Sequence, residues 1–271
     1  MLNNSEFKLL FIGDIIGRAG RWCVKKYLSE QNSKQNYDLV IANVENASHG
    51  FGLTKKNHDE LVLYGIDAMT SGNHIWDKPA FFSVLDSETR VFRPANYPAS
   101  CPGTGYGIIE RKGKKLGILN LQGQVFMPPI DSPFECADRC IDEMKLKAGD
   151  DLPIIVDFHA EATSEKQAMA YYLDGKVSAV IGTHTHVQTA DARIFHHGTA
   201  YISDAGMTGA HEGILGVEYN SVMPRFLTGL PCKFEPSEDG TAFNGVIVEI
   251  DEITGLALNI TAIQIPIITG T

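Results

Sequence analysis

A basic surface, a disulfide framework and a membrane-length apolar run are all missing from this chain. Lysine and arginine total 23 against 33 acidic residues, a formal net charge of −10. That balance excludes a surface built to coat nucleic acid, although a nucleotide in a local pocket stays compatible with it. The five cysteines, Cys23, Cys101, Cys136, Cys140 and Cys232, are scattered and odd in number, so no disulfide scaffold is expected. Cys136 and Cys140 share a helix face by spacing, but no second pair completes a zinc site. The N-terminal stretch Met1-Leu-Asn-Asn-Ser-Glu6 has neither the basic nor the apolar region of a secretory leader. A cytoplasmic protein with no membrane partner and no large nucleic-acid-binding surface is expected, and a homo-oligomer is left open. Without repeats, low-complexity tracts or a linker, residues 1–271 read as a single α/β domain.

What is present is a recurring strand ending. Val177-Ser-Ala-Val-Ile181 is a short β-branched run that predicts a buried strand, broken by Gly182 and followed by His184 and His186. In extended backbone, residues two apart share a side, so both imidazoles are expected to reach one point. Four other apolar runs end similarly: one at Asp14, one at Glu45 and Asn46, one at Asn73 and His74, one at His159. Each alone reads as a turn residue or helix cap. Together, on strands that point the same way, they converge on one rim of a sheet. Carboxylates, amides and three or four imidazoles exceed the needs of one tetrahedral zinc. They suit a pair of divalent first-row metals, and no thiolate points to an iron–sulfur centre.

The remaining pattern predicts helices near residues 21–31, 54–64, 80–85, 133–147, 164–173 and 221–230, and a hairpin over 106–121 with a basic tip. Strands are expected at 192–195, 199–204, 243–250 and 256–265, with 203–209 a glycine-rich loop. Gly13, Gly17 and Gly20 are spaced G-x-x-x-G-x-x-G, which is not the dinucleotide-binding fingerprint.

Gly13-Asp14, Gly72-Asn73-His74, His159 and Gly182-Thr-His184-Thr-His186 resemble, in order and spacing, the motif set of the calcineurin-like metallophosphoesterases. Five longer stretches narrow the resemblance: Gly13-Asp-Ile-Ile-Gly17, Asn43-Val-Glu-Asn46, Ser71-Gly-Asn-His-Ile-Trp-Asp77, Asp157-Phe-His-Ala-Glu161 and Ile202-Ser-Asp-Ala-Gly-Met-Thr-Gly209. They are similar to the YmdB-like subfamily, bacterial cyclic-nucleotide phosphodiesterases, along essentially the whole chain. The superfamily usually begins Asp-x-His, and here position 16 is Ile. It usually bridges with Asp, and here Glu45 precedes Asn46.

The resemblance implies a four-layer α/β/β/α sandwich with two mixed sheets. It also implies two divalent ions, iron favoured over manganese or zinc. Asp14, Glu45 and His186, with Asn46 beside them, would hold one; Glu45, Asn73, His159 and His184 would hold the other. A metal-bridging hydroxide would attack a cyclic nucleotide in line, 2′,3′-cyclic nucleotides favoured, with His74 as general acid or as an orienting hydrogen bonder. The alternatives are a phosphomonoesterase or nucleotidase, and a regulatory metal-containing protein acting through RNA or protein partners.

Overall fold

The computed structural model describes residues 6–30 and 36–267. From the N-terminus come β1 (Glu6–Ile12), β2 (Asp14–Ile15), α1 (Gly17–Glu30), β3 (Leu39–Asn43), α2 (Lys55–Tyr64) and β4 (Ala68–Thr70). A 3-10 turn (Asn73–Asp77), α3 (Phe82–Leu85), β5 (Val91–Phe92), β6 (Tyr106–Arg111) and β7 (Lys114–Gln122) follow. Next are α4 (Pro133–Ala148), β8 (Ile154–His159), α5 (Thr163–Tyr172), β9 (Ala179–Thr183), β10 (Arg193–Ile194) and β11 (Ala200–Ile202). The chain closes with β12 (Met207–Ala210), α6 (Tyr219–Thr228), β13 (Thr241–Asp251) and β14 (Ala257–Pro266). Among the described residues no helix is long and apolar enough to cross a membrane.

The strands form two mixed sheets. One runs β2-β12-β13-β1-β3-β4-β5 with β14 on β13; the other runs β10-β11-β9-β8-β7-β6. β1, β3, β4 and β5 are mutually parallel, as are β7, β8, β9 and β11, whereas β13 pairs antiparallel with β1. Side-chain alternation then sets the layers. Leu10, Ile12, Val40 and Ala42 pack against Val24 and Leu28 of α1 and Leu61 of α2. Their neighbours Leu9, Phe11, Leu39 and Ile41 meet Ile118, Ile155, Ala179 and Ile181 of the other sheet. The opposite face of that second sheet, with Leu119, Val156 and Val180, is covered by Cys140 and Met144 of α4 and Met169 of α5. The result is four layers, α/β/β/α. Burial on both faces explains why these strands are continuous apolar runs rather than alternating ones. Each fully buried aliphatic side chain contributes about 1.5–3 kcal/mol.

Two expectations change, and two short strands are added. Residues 207–209, read as part of a loop, belong to strand β12, paired with β13 and β2. Their small and polar residues carry no apolar period, and tertiary pairing decides the conformation. Helix α1 starts at Gly17 rather than near residue 21, because Gly17 turns the chain with φ 57°. Its Gly20 then sits where a Cβ would be 2.4 Å from Thr208 O. Finally β2 and β5, two residues each, are too short for any sequence period to reveal.

Candidate metal centre

Alternation along the inter-sheet faces carries the site. On β8, Ile155, Asp157 and His159 point the same way; on β9, Ala179, Ile181 and Thr183 do. On β3 the series is Leu39, Ile41, Asn43, with Glu45 two residues beyond the strand. The core between the sheets thus turns polar toward one rim, where Asp14, Asn43, Glu45, Asp157 and His159 are all essentially excluded from solvent. Asp157 is the hub beneath the rim. It accepts from Thr183 Oγ1 at 2.7 Å, from Asn43 Nδ2 at 2.9 Å and from the Thr70 hydroxyl. Burial pushes its carboxyl up to about 6.

The rim gathers the side chains expected from the sequence into two overlapping groups. Donor atoms of Glu45, His159 and His184 lie within 4.8 Å of one another, and so do those of Asp14, Glu45 and His186. Asn73 Oδ1, 3.2 Å from His159 Nε2, joins the first group. Asn46 stands beside the second group, its Nδ2 3.0 Å from Glu45 Oε1 and 3.2 Å from His186 Nε2. In that orientation it is a donor; turning the amide over would present Oδ1 instead.

Each histidine has its outer ring nitrogen held. His159 Nδ1 lies 2.9 Å from Thr183 Oγ1, whose own proton goes to Asp157, so the ring must donate there. His184 Nε2 is 3.2 Å from Glu161 Oε2, and His186 Nδ1 is 3.2 Å from the Leu215 carbonyl. Each inner nitrogen can thereby turn a lone pair to a metal ion in place of a proton. His159 Nε2 faces His184 Nδ1 at 3.1 Å, Glu45 Oε2 at 3.2 Å and Asn73 Oδ1. Acceptors converging on acceptors call for a cation, and imidazoles fixed through the far nitrogen are how proteins present histidine to a metal.

The titration shifts show how strongly this rim draws positive charge. Burial opposes a charge on His159, yet the adjoining Glu45 carboxylate outweighs it and raises the ring to about 9. Burial and neighbouring His159 push His184 down to about 3. Burial also pushes His186 down. Asp14 is raised well above the usual carboxylate range, chiefly by burial, and its Oδ1 has no hydrogen-bond partner while Oδ2 accepts from His184 N. Glu45, despite complete burial, is held low by His159. Two dry carboxylates, an orphaned carboxylate oxygen and inward lone pairs fit bound divalent ions.

The histidine loop is not extended, contrary to the expectation from its spacing. β9 continues through Gly182 to Thr183, and His184 and His186 then both adopt left-handed backbone, φ 97° and φ 67°. Such backbone persists only where surroundings fix it. The fixing group is Asp204, whose Oδ2 accepts from Thr185 N at 3.0 Å and Thr185 Oγ1 at 2.8 Å. The buried Lys166 ammonium pairs with the same oxygen at 2.8 Å. Gly182 is demanded by close approach, since a Cβ there would meet Ser203 O at 1.8 Å. Lys166, the Leu215 carbonyl and the role of Glu161 are invisible in local patterns, because each acts through a contact distant in sequence.

Gly72 is where the first sheet's loop meets the second sheet's histidine. A Cβ there would lie 2.2 Å from His159 Nε2 and 2.4 Å from Glu45 Oε2. Gly72→Ala is therefore expected to displace both side chains and weaken metal affinity about 10–100-fold. Elemental analysis should show reduced metal content while circular dichroism shows the fold retained.

A cavity of about 350 Å3 opens over the centre. Glu45, Asn46, His74, Glu161, His184 and His186 form its polar end. His74 Nδ1 lies 2.7 Å from Asp77 Oδ2, and its backbone N–H donates to Glu45 Oε2 at 3.2 Å.

A family model described as YmdB-like protein matches residues 10–263. The chain belongs to the YmdB-like family. Within curated proteins it is 48% identical, over 95% of its own length and 97% of the other's, to the 2′,3′-cyclic-nucleotide 2′-phosphodiesterase of Bacillus subtilis (strain 168). Two solved structures superpose over nearly the whole chain. A hypothetical protein from Thermus thermophilus is 39% identical, with TM-score 0.89, covering 96% of this chain and 99% of that one. A Mycoplasma pneumoniae protein described as a novel phosphatase is 37% identical, with TM-score 0.89, covering 97% and 94%.

Proposed function

We propose that this chain is a dimetal phosphodiesterase that opens small cyclic phosphodiesters, above all 2′,3′-cyclic nucleotides. The observation that carries the reading is the cavity's charge. Among the described residues lining it there is no lysine or arginine, and Glu161 adds a carboxylate. A site with no fixed side-chain cation beyond its metals suits a singly charged diester better than a doubly charged monoester, which needs more neutralisation. The 48% identical relative that bears a cyclic-nucleotide phosphodiesterase name supports the same substrate.

Asp14, Glu45, His186 and Asn46 would hold one ion; Glu45, Asn73, His159 and His184 would hold the second. Oxygen and imidazole donors without a thiolate admit iron, manganese or zinc, and iron is favoured by the family resemblance. Bound there, two divalent ions supply Lewis-acid stabilisation of the phosphoryl oxygens and lower the pKa of the attacking water. The chain's own residues do the rest. Water adds to phosphorus, the P–O2′ bond breaks, and the ribose O2′ takes a proton, leaving a 3′-monophosphate. His74 is the donor. Its Nδ1 is engaged by Asp77, which fixes the ring and leaves Nε2 for the leaving oxygen.

Purified, metal-loaded enzyme is expected to convert 2′,3′-cyclic nucleotides to 3′-nucleotides; hydrolysis of monoesters alone would overturn the assignment. His74→Ala should lower kcat on these substrates by about 10²–10⁴-fold, and Asp77→Ala by less. Neither should alter metal content. On bis(p-nitrophenyl) phosphate, whose leaving group needs no proton, both losses should shrink to a few-fold at most, on the order of ordinary binding effects. Equal losses on both substrates would remove His74 from the proton donor's role.

A further inference from the structure

The cavity has two unlike ends. At the polar end the side chains are committed to the centre, and the Thr185 hydroxyl is spent on Asp204. The apolar end, which Phe51 brings up to His74, is formed by Ile16, Phe51, Leu215, Val217, Phe234 and Pro236, with glycines between them. These residues come from separate stretches of the chain that touch: a Cβ on Gly50 would lie 3.5 Å from Pro236 Cγ. Both aromatic rings are held. Phe51 sits edge-on to His74, ring centroids 5.1 Å apart at 61°. Arg225, which does not line the cavity, places its guanidinium 5.6 Å from the Phe234 centroid and braces that ring from outside.

The chemistry of the leaving group says what belongs there. In a 2′,3′-cyclic nucleotide, O2′ is carried by the ribose carbon next to the one bearing the base. A base must therefore lie close to whatever protonates O2′, and the ring beside His74 is Phe51. We propose that the apolar end is a base-stacking wall in which Phe51 and Phe234 are the specificity-determining side chains. Resting on the function proposed above, this deepens it. The wall offers π-faces and aliphatic surface, and no side chain at that end can hydrogen-bond a base edge. Stacking on aromatic rings tolerates every base. The substrate class is therefore purine and pyrimidine 2′,3′-cyclic nucleotides together, selected for having a base rather than for which base.

The test compares 2′,3′-cyclic AMP, GMP, CMP and UMP with 1-O-methylribose 2′,3′-cyclic phosphate, which lacks a base, on the metal-loaded full chain. The wild-type kcat/KM is expected to vary by less than about tenfold across the four bases and to drop by roughly tenfold or more without a base. Phe51→Ala and Phe234→Ala should each raise KM for the nucleotides about tenfold, with kcat nearly unchanged. On the base-free diester they should lose much less than on the nucleotides, and circular dichroism checks that they fold. Phe51→Tyr and Phe234→Tyr should restore nucleotide KM. The proposal is overturned if the alanine variants lose activity equally on the base-free compound, or if they change no KM. If the wild type cleaves bis(p-nitrophenyl) phosphate but no cyclic nucleotide, the substrate reading itself falls and takes the wall with it.

Discussion

Glu45→Gln should empty both metal positions together and lower kcat/KM by about three decades. Glu45 is the member common to both donor groups, and it is 1% exposed. An amide keeps its size but not its charge, and only one of its two end atoms can accept. What remains would be a buried imidazole array with the Asp14 carboxylate and nothing to draw two divalent ions into a dry site. Removing one partner of a buried charge pair costs about 3–5 kcal/mol, which is two to four decades in an equilibrium or rate. Elemental analysis of purified protein is the direct measurement. His184→Ala and His186→Ala supply the contrast, since each touches one group and should leave about one ion per chain. Glu45→Gln protein that keeps a full complement of metal would exclude Glu45 as the shared ligand.

Removal of the metals should destabilise the fold as well as inactivate it. Asp14 and Glu45 are packed together with His159 in a site that excludes water, and burial already pushes Asp14 toward protonation. Ions that bind the folded chain and not the unfolded one add about 4 kcal/mol when present at a thousand times their Kd. For a domain of this size that corresponds to a Tm shift of about 10 °C. Calorimetry with and without a chelator should show the drop, and added manganese should reverse it. Glu45→Gln should melt at one temperature in both conditions. A wild-type Tm indifferent to chelator would contradict metal binding at this rim.

Much of this molecule was readable from its residues, and the gaps have physical causes. Burial on both faces wrote long apolar runs at β1, β3, β8 and β9, so these strands and their polar ends at Asp14, Glu45, His159 and His184 stood out. The order of those ends also carried the family resemblance. What the chain order could not reveal were contacts made across the gap between sheets. Periodicity reports local backbone, so it suggested extended backbone at His184 and His186, where Asp204 and Lys166 instead hold left-handed turns. It read residues 203–209 as a loop, because the pairing that makes β12 a strand lies in distant β13. The cavity wall was missed for a similar reason. Phe51 and Phe234 are 183 positions apart, and each alone is an ordinary aromatic on an irregular segment.

Leu215 joins two tasks in a single residue. Its side chain lines the apolar end of the cavity, and its carbonyl holds His186 Nδ1. Its own backbone is left-handed, φ 51°, so side chain and carbonyl cannot be repositioned independently without changing that turn. A shift of Leu215 on filling the cavity would therefore reach the imidazole beside Asp14. Occupancy of the cavity and affinity for an ion on that side would then be thermodynamically linked, and linkage is reciprocal: whatever factor substrate contributed to holding the ion, the ion would return to holding substrate.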